Sequence, residues 1–447
     1  MPTVYPFRAV QFAGMADLSS VVAPPYDVLD NAGKQRLIAK DGRNIVAIDL
    51  PHTPAKELGP AQAYQNAARD FKSLLAGGTL QQLERPAIFA YRQTFKDSDG
   101  VSTVQRTGMC CCVETVPFGP RAGGGILPHE ETFSGPKEDR MALMNATTVQ
   151  MSPIFGLHAD ERGSATSLLC EVMAKGAPTH TAKTDDGTFH EVWTITDPAI
   201  IARYAAALAG EDVFIADGHH RYTTGLNYLG ARETEGAVPA DHPARRCMIV
   251  LVGMSDPGLV IWPTHRVLGG MKDYTFDAFL SAGAGLIKAE PVSGGLAALD
   301  KALAGRADLG ESRFGLFDFA TGCGAVAAPA TADALAARFP EKPRAWRELV
   351  VAFCQYVIVE QICQPKLNGG QSVKWAFPHT IKEVEEIGAG LETGAGGGKN
   401  FAQLAVIVRP TPLAAVKDVS RANQLMPQKS TFFYPKLATG LFMNPLS

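Results

Sequence analysis

The residues best suited to chemistry follow a short apolar run that starts at Val213, and they are Asp217, Gly218, His219, His220 and Arg221. Beyond them apolar residues recur at i, i+4 and i+7, so the segment predicts a strand, a tight turn and a helix. The first amides of such a helix have no partner within it and carry the positive end of its dipole, which makes the turn an anion site. The imidazoles and the guanidinium add donors there, and Arg can bind two phosphate oxygens at once, so we predict a site for a phosphate-bearing ligand.

Two other roles are open for the same residues. Asp217 could cap the helix while the histidines and Arg221 make structural hydrogen bonds. Asp217 could also hold Mg²⁺ for a bound nucleotide. A functional role is favoured, because packing does not easily explain a succession of polar, ionisable and glycine residues directly after a buried strand. The phosphate interpretation expects the first amides of the helix and the Arg221 guanidinium to face a vacant cavity, and it fails if Arg221 forms an internal ion pair while protein acceptors occupy those amides.

Phosphoryl transfer also needs a carboxylate or imidazole near the acceptor hydroxyl. The carboxylates that the sequence offers as a base are Asp27, Glu130 and Asp139, and the catalytic candidates are Asp27, Glu130 and His220. Asp27 follows Tyr26 in a proline-stiffened loop, which presents an aromatic face beside a carboxylate, although an Asx turn explains the pair equally well. Glu130 lies in an exposed segment that a solvated acidic turn would also explain. For Lys137–Arg140 we favour an ordinary charged helix start.

Further phosphate- or nucleotide-binding candidates lie in the C-terminal half: His265, Arg266, Lys429, Ser430, Thr431 and Lys436. The first two follow a predicted strand, and ligands often bind at strand ends. The others flank an aromatic cluster that could stack on a base while the lysines neutralise phosphate, or that could fill the core. No Gly precedes Lys429, and Gly398-Lys399 is followed by Asn400, so the Walker A motif of a P-loop is excluded.

The elements that must position these residues follow from hydrophobic periodicity. Apolar runs predict buried strands at Ile45–Leu50, Ala87–Tyr91, Met109–Val113, Val213–Ala216, Met248–Val252, Leu259–Trp262 and Leu404–Val408. Helical patterns occur at Asn31–Lys40, Gln62–Leu75, Asp197–Leu208 and Trp346–Ile362. A mixed α/β protein (α+β) follows.

Turn chemistry suggests how these elements are grouped. The turn residues between the runs Met248–Val252 and Leu259–Trp262 predict a hairpin. Gly230–Arg245 and Gly388–Lys399 are polar or glycine-rich and are candidate linkers or mobile loops. We therefore expect one α/β domain over 1–235 and a second over 236–447, whose last segment could return to the site.

Composition excludes several classes of protein. The 447 residues contain 42 Lys and Arg against 45 Asp and Glu, a net charge of −3 that disfavours a large DNA-binding surface and makes a nucleic-acid partner unexpected. We see no secretory signal, and the longest apolar stretch, Leu349–Cys363, is interrupted and too short for a bilayer, so we expect a cytoplasmic protein without a membrane span. No cysteines are spaced as a zinc pair, which disfavours structural zinc. The HEET segment at His129–Thr132 lacks HExxH spacing, which excludes a zincin. Cys110–Cys112 are interpreted as small buried hydrophobes.

Segments spread over nearly the whole chain resemble the bacterial domain-of-unknown-function 1015 (DUF1015) family. They are PFRAV at Pro6–Val10, APPYDV at Ala23–Val28, HEET at His129–Thr132, KEDR at Lys137–Arg140, SPIF at Ser152–Phe155, ADGHHRY at Ala216–Tyr222, PTHR at Pro263–Arg266, and MPQKSTFFYPKLATGLF at Met426–Phe442. The Asp-Gly-His-His-Arg turn is also similar to the phosphate-binding turn of the ParB/sulfiredoxin superfamily. That resemblance implies a nucleotide-binding α/β core with an inserted segment, joined to a second α/β domain.

The superfamily uses this turn for CTP-dependent DNA partitioning, sulfinic acid reduction or phosphorylation of free serine. His219 stands where sulfiredoxins have a catalytic cysteine, and classical ParB proteins have Glu and Arg at the positions of His219 and His220, with a helix-turn-helix that we do not find. Free serine kinases have a similar turn. The resemblance thus implies a small-molecule kinase or phosphotransferase that uses Mg²⁺ with ATP or ADP and acts on a hydroxyl such as that of free serine. The alternative is a ParB-like, nucleotide-dependent DNA-binding regulator that is not metabolic.

Overall fold

The computed structural model describes residues 3–55, 57–132, 134–306 and 312–447. The described residues form two compact units. Unit 1 comprises Met1–Pro128, Thr132–Val260 and Phe433–Ser447, and unit 2 comprises His129–Glu131 and Ile261–Phe432. The two units are treated separately below.

Unit 1 is built on a large mixed sheet. Its strands are β1 (Val4–Tyr5), β2 (Val10–Phe12), β3 (Leu80–Gln82), β4 (Ile88–Lys96), β5 (Thr103–Glu114), β6 (Ile126–Leu127), β7 (Val149–Gln150), β8 (Ile154–His158), β9 (His180–Lys183), β10 (Phe189–Ile195), β11 (Val213–Asp217) and β12 (Arg246–Gly253). Nine of the described strands form one sheet in the order β6-β11-β8-β12-β5-β4-β10-β9, with β1 added to β5. The pairs β11–β6 and β12–β8 are parallel and the other pairs of this sheet are antiparallel.

The helices of unit 1 are α1 (Asn31–Lys40), α2 (Val46–Asp49), α3 (Ala61–Ala76), α4 (Ser134–Thr147), α5 (Ser164–Met173), α6 (Pro198–Ala207) and α7 (His219–Glu235), with short 3-10 turns at Tyr26–Val28 and Pro243–Arg245. Local chemistry defines several of their starts. The Asp30 carboxylate accepts the Gly33 amide at 2.6 Å, and the Asp197 carboxylate accepts the Ala199 amide at 2.8 Å with Pro198 as the first helical residue.

Alternation along β4 shows how the sheet is covered on both faces. Ile88 and Ala90 join the core under α5 and α6, whereas Phe89 lies on the opposite side, 5.3 Å from the ring of Phe442. Phe442 belongs to the last segment of the chain, which returns to this face and ends in the short strand Asn444–Pro445 paired with β7. The C-terminal segment is therefore part of the core of unit 1.

Unit 2 contains an antiparallel sheet of six described strands. The described strands of this part of the chain, inside and outside that sheet, are β13 (Val260–Trp262), β14 (Arg266–Gly269), β15 (Ile287–Val292), β16 (Phe314–Asp318), β17 (Gly324–Pro329), β18 (Lys374–Ala376), β19 (Glu392–Thr393), β20 (Gly396–Gly397), β21 (Leu404–Val408) and β22 (Phe432–Tyr434). The strands β13 and β22 lie where the chain passes between the units. The order of the six is β15-β17-β16-β21-β14-β18, and β19 pairs with β20.

Helices cover both faces of this second sheet. They are α8 (Phe276–Ala282), α9 (Gly295–Gly305), α10 (Arg344–Arg347), α11 (Val350–Phe353), a π-helix (Cys354–Cys363), α12 (Gln364–Leu367), α13 (Ile381–Gly388) and α14 (Leu413–Arg421). Leu316 and Val406 face a core formed with the π-helix, and Phe317 and Ile407 face a second core under α9 and α13. Because successive side chains of a strand point to opposite faces, this alternation shows that the sheet is buried on both sides.

Most of the predicted elements are confirmed, and three are wrong. Asn31–Lys40 and Leu404–Val408 have the predicted bounds, whereas Ile45–Leu50 contains the helix α2 instead of a strand, because an apolar run this short has no period that separates the two. Among the described strands, β12 pairs with β5 and β8, so it forms no hairpin with the strand that follows. The predicted helix Trp346–Ile362 is divided because Leu349 has an extended backbone.

The cysteines of β5 and the apolarity of the helices bear on two further expectations. Cys110, Cys111 and Cys112 are buried in β5, as predicted, and burial raises the pKa of each thiol. In the part of the chain that the structure describes, no helix is both long and apolar enough to cross a membrane.

Candidate active site

The predicted strand, turn and helix are confirmed in unit 1, where β11 lies between β6 and β8. The buried strand β11 ends at Asp217, and α7 begins at His219. Between them Gly218 has a φ of 90° and a ψ of 28°, a left-handed conformation that side chains with a Cβ disfavour. A Cβ at Gly218 would also lie 2.9 Å from Nε of Arg221. The turn therefore requires glycine for both conformation and space.

The carboxylate of Asp217 is shared by two cations. Lys436 Nζ donates to Oδ1 at 2.6 Å, and the Arg221 guanidinium donates to Oδ2. Burial alone would raise the pKa of Asp217, but the positive charges of Lys436 and Arg221 hold it below its usual value. Asp217 is therefore an anion at neutral pH, and Lys436 reaches it from a position 219 residues further along the chain.

Arg221 is engaged on both sides of its guanidinium. One nitrogen donates to Asp217 and another to the carbonyl oxygen of Pro153, and its side chain is only 10% exposed. The expectation that Arg221 faces an open cavity is therefore wrong. The reason is local, since Asp217 precedes it by one helical turn and the Pro153 carbonyl lies just before β8. A phosphate could contact this guanidinium only by displacing one of these oxygens.

The two histidines of the turn have different environments. His219 is buried at the start of α7, and its positive form interacts favourably with Asp217. His220 is half-buried in the next position. Their carbonyl groups accept hydrogen bonds from the hydroxyls of Thr223 and Thr224 at 2.9 and 2.8 Å. These bonds secure the first turn of the helix that follows Gly218.

A small cavity lies beside the Arg221 side chain. Polar groups of Tyr26, Asp49, Arg140, Ser152 and Arg221 line part of it, and its volume is about 40 Å³. That space suits one or two water molecules, because a water occupies about 30 Å³. Ligand pockets for molecules of nucleotide size are about 300–1,000 Å³, so this cavity does not hold a nucleotide as it stands.

A buried charge network surrounds the cavity, and the sequence alone does not reveal its pairings. Arg140 donates to Oδ2 of Asp139 at 2.7 Å and to Oδ1 of Asp49 at 3.1 Å. The other oxygen of Asp139 lies 2.8 Å from Nε2 of His52 and accepts the hydroxyl of Tyr64 at 2.7 Å. Lys137–Arg140 lie near the start of α4, as predicted, but the last two residues are buried ion-pair partners rather than an ordinary charged helix start. Their partners come from distant segments, which a local charge pattern cannot reveal.

Asp27 lies next to this network in a short 3-10 turn. Its Oδ1 is buried and has no hydrogen-bond partner among the described residues. The ring of its neighbour Tyr26 lies under the Arg140 guanidinium at 3.9 Å, and burial raises the pKa of the Tyr26 hydroxyl. A carboxylate oxygen without a donor is unusual in a protein interior and is available to accept a proton.

The remaining candidates lie in unit 2, and there they contact one another. Oε1 of Glu130 accepts the Lys429 amide at 3.0 Å, and the Arg266 guanidinium donates to the Lys429 carbonyl at 3.0 Å. Burial lowers the pKa of His265 to about 3, and its Nδ1 accepts the Val408 amide at 3.2 Å. His265 is thus neutral at pH 7 and supplies no positive charge to a phosphate.

Ser430 and Thr431 have structural partners within the same unit. The Ser430 hydroxyl donates to the Pro427 carbonyl, and the Thr431 hydroxyl lies 2.7 Å from Nε2 of His129. Thus Asp27, the Asp217 to Arg221 turn and Lys436 belong to unit 1, while the other predicted residues belong to unit 2.

Metal-ligand groups can be tested directly. Within the described ranges, no three His, Cys, Asp or Glu side chains are grouped as a metal site requires. Both oxygens of Asp217 are bonded to cations. As placed, this carboxylate does not fit a magnesium ligand, because Lys436 or Arg221 would have to move before a metal could reach it.

Comparisons with known proteins give one family and several distant structures. A family model described as "Protein of unknown function (DUF1015)" matches residues 4–315. No curated protein matches the chain.

Among solved structures, a free serine kinase in complex with AMP is 11% identical with a TM-score of 0.33, covering 73% of this chain and 95% of that chain. A conserved hypothetical protein from Pyrococcus furiosus is 13% identical with a TM-score of 0.30, covering 72% of this chain and 96% of that chain. SbnI from Staphylococcus aureus, with a C-terminal truncation, is 12% identical with a TM-score of 0.31, covering 72% of this chain and 84% of that chain. At these scores the likeness carries no argument about function.

Proposed function

The chain belongs to the DUF1015 family, and from the geometry of unit 1 we propose that it is a nucleotide-binding phosphotransferase of ParB/sulfiredoxin-like type. The phosphates of ATP or ADP bind where α7 begins, and a phosphoryl group passes to the hydroxyl of a small molecule such as free serine.

The observation that carries the proposal is the pairing of one carboxylate with two cations at the start of a long helix. The carboxylate of Asp217 is bonded to both Lys436 and Arg221 directly before the first amides of α7. Helix starts with added cations favour anions such as phosphate.

Lys436 is the group we assign to the phosphate. Its side chain is 17% exposed, and an ammonium on a flexible stem can turn from Asp217 to an incoming oxygen without a change in the backbone. Arg221 keeps Asp217 and the Pro153 carbonyl in place during this exchange. The cavity near Arg221 is too small for the base and sugar, so in this proposal only the phosphates contact the turn.

Asp27 is the group we assign as the base for the acceptor hydroxyl. Its buried Oδ1 has no donor among the described residues and can take the proton that the hydroxyl loses as it attacks phosphorus. Glu130 and His220 remain proposals for the same role. Positioning and charge neutralisation would provide most of the catalysis, as is usual for phosphoryl transfer.

Calorimetric titration with ATP and ADP, with and without Mg²⁺, tests the binding step. We expect Lys436→Met to weaken affinity by about 10- to 100-fold, the usual contribution of one charge-assisted hydrogen bond. Lys40→Met is the matched control, because Lys40 pairs with Asp185 at the surface of the same unit. The absence of nucleotide binding by the wild-type protein at millimolar concentration would refute the proposal.

The transfer step is tested separately. Wild-type protein and Asp27→Asn are incubated with ATP or ADP and a panel of small alcohols that includes serine, and the products are followed by phosphorus NMR. We expect the variant to bind nucleotide normally and to lose phosphoryl transfer. Equal transfer rates for both proteins would remove Asp27 from the mechanism.

A further inference from the structure

Arg106 is a fully buried arginine in β5 with only 1% of its surface exposed. It forms no ion pair with any carboxylate of the described residues, and its Nε has no hydrogen-bond partner among them. Its guanidinium lies 4.5 Å from the ring of Phe155, and burial lowers its pKa to about 10. Arg106 is therefore still charged at neutral pH, in the interior of unit 1.

The guanidinium contacts the backbone of the C-terminal segment directly. It donates to the carbonyl of Tyr434 at 2.8 Å and to the carbonyl of Pro435 at 2.6 Å. It also donates to Oε1 of Gln93 at 2.5 Å, and Nε2 of Gln93 donates to the carbonyl of Lys436 at 3.0 Å. Two neighbouring side chains thus hold three consecutive carbonyl groups.

These contacts are costly for stability alone. Burying a charge without a directly bonded counter-ion is unfavourable, and the carboxylates of Asp256 and Asp217 offset this cost only from a distance. The three carbonyls end at Lys436, whose ammonium pairs with Asp217 at the turn before α7. A buried charge at this position is explained if it fixes the backbone that leads to Lys436.

We propose that Arg106 and Gln93 are positioning residues that fix the backbone of Tyr434–Lys436, so that Nζ of Lys436 is presented at the Asp217 turn. The inference rests on the proposed function for its effect on nucleotide affinity. The placement of Lys436 itself can be measured without any nucleotide. Because a lysine ammonium is a point charge on a flexible stem, its position depends on where the backbone holds the stem.

The first experiment measures Lys436 in the free protein. The rate at which a small acylating reagent modifies each lysine is followed by mass spectrometry in the wild type, Arg106→Met, Arg106→Lys and Gln93→Leu. We expect Arg106→Met to speed Lys436 labelling by about 10-fold or more, corresponding to the loss of a charge-assisted contact. The lysine variant keeps the charge, so it should restore part of the protection.

The matched control is Arg92→Met, which removes an arginine of the adjacent strand β4 that pairs with Glu191. It should leave Lys436 labelling unchanged. Hydrogen exchange over residues 433–437 should rise in Arg106→Met and Gln93→Leu and stay at the wild-type rate in the control. Unchanged labelling and exchange in folded Arg106→Met and Gln93→Leu would overturn the inference. If Arg106→Met does not fold, Gln93→Leu decides by the same readout.

The second experiment is a double-mutant cycle on nucleotide affinity with Arg106→Met and Lys436→Met. If Arg106 acts through Lys436, the double variant should be no weaker than Lys436→Met alone. Additive losses would overturn the inference, because they indicate a structural effect unrelated to the lysine. If the wild type binds no nucleotide, the proposed function fails while the labelling experiment still decides the role of Arg106.

Discussion

Asp217→Asn removes the carboxylate that Lys436 and Arg221 share, and the contacts give the expected loss of stability. The asparagine retains one acceptor oxygen, but its amide nitrogen would face Lys436 or Arg221, which are 17% and 10% exposed. Removing one partner of a buried ion pair costs about 3–5 kcal/mol, and the partial exposure favours the lower value. For a unit of this size about 3 kcal/mol corresponds to a fall in Tm of about 6–12 °C.

The pH dependence of this effect has a definite sign. The pKa of Asp217 is lowered from 3.8 in the folded protein, so its contribution to stability is present above about pH 4 and is lost as the pH falls further. Scanning calorimetry of wild type and Asp217→Asn should therefore give a difference in Tm that is constant from pH 7 to pH 5 and smaller at pH 3.

Asp185→Asn is the control for this experiment. It removes a carboxylate from a surface pair with Lys40, which should cost less than about 1 kcal/mol. The reasoning is refuted if Asp217→Asn melts at the same temperature as the control, or if its deficit is equally large at pH 3 and pH 7.

Three other outcomes are expected. Arg140→Met should lower the free energy of unfolding by about 3–5 kcal/mol in urea titrations, because it leaves two buried carboxylates without their cation; an unchanged midpoint would contradict the network. Gly218→Ala should cost about 1–2 kcal/mol from its left-handed backbone alone, and it should also displace Arg221; thermal melts compare it with the wild type. In the native protein a thiol reagent should modify only Cys170 and Cys323 among the eight cysteines, because burial raises the pKa of the others; rapid labelling of more than these two sites would contradict the burial.

The parts that the sequence predicts well are those set by neighbouring residues. The β11–α7 segment combines an apolar strand, a glycine at the turn and a helical period, all within one short stretch. The bounds of α1 are also local, because Asp30 supplies the cap. Such features need no knowledge of distant contacts.

The parts that the sequence does not predict depend on partners far along the chain. Arg140 is buried against Asp49, which is 91 residues earlier in the chain, in a segment whose apolar pattern predicts a strand. Arg221 has Asp217 nearby in the sequence, but its second partner, the Pro153 carbonyl, is 68 residues away, and Lys436, which shares Asp217, is 219 residues from that carboxylate. Arg106 looks like an ordinary polar residue of a strand until the carbonyl of Tyr434, 328 residues away, is packed against it.

The route of the chain has a consequence for synthesis. Unit 1 is interrupted at Val260 and resumes at Phe433, after the whole of unit 2 has been made. Since a nascent protein emerges from its N-terminal end, the turn before α7 exists on the ribosome long before its lysine is translated. In chains released early by a premature stop, Asp217 would therefore have one cation in place of two. Such chains would also lack Phe442, so the face of unit 1 that it covers would be exposed to quality-control proteases.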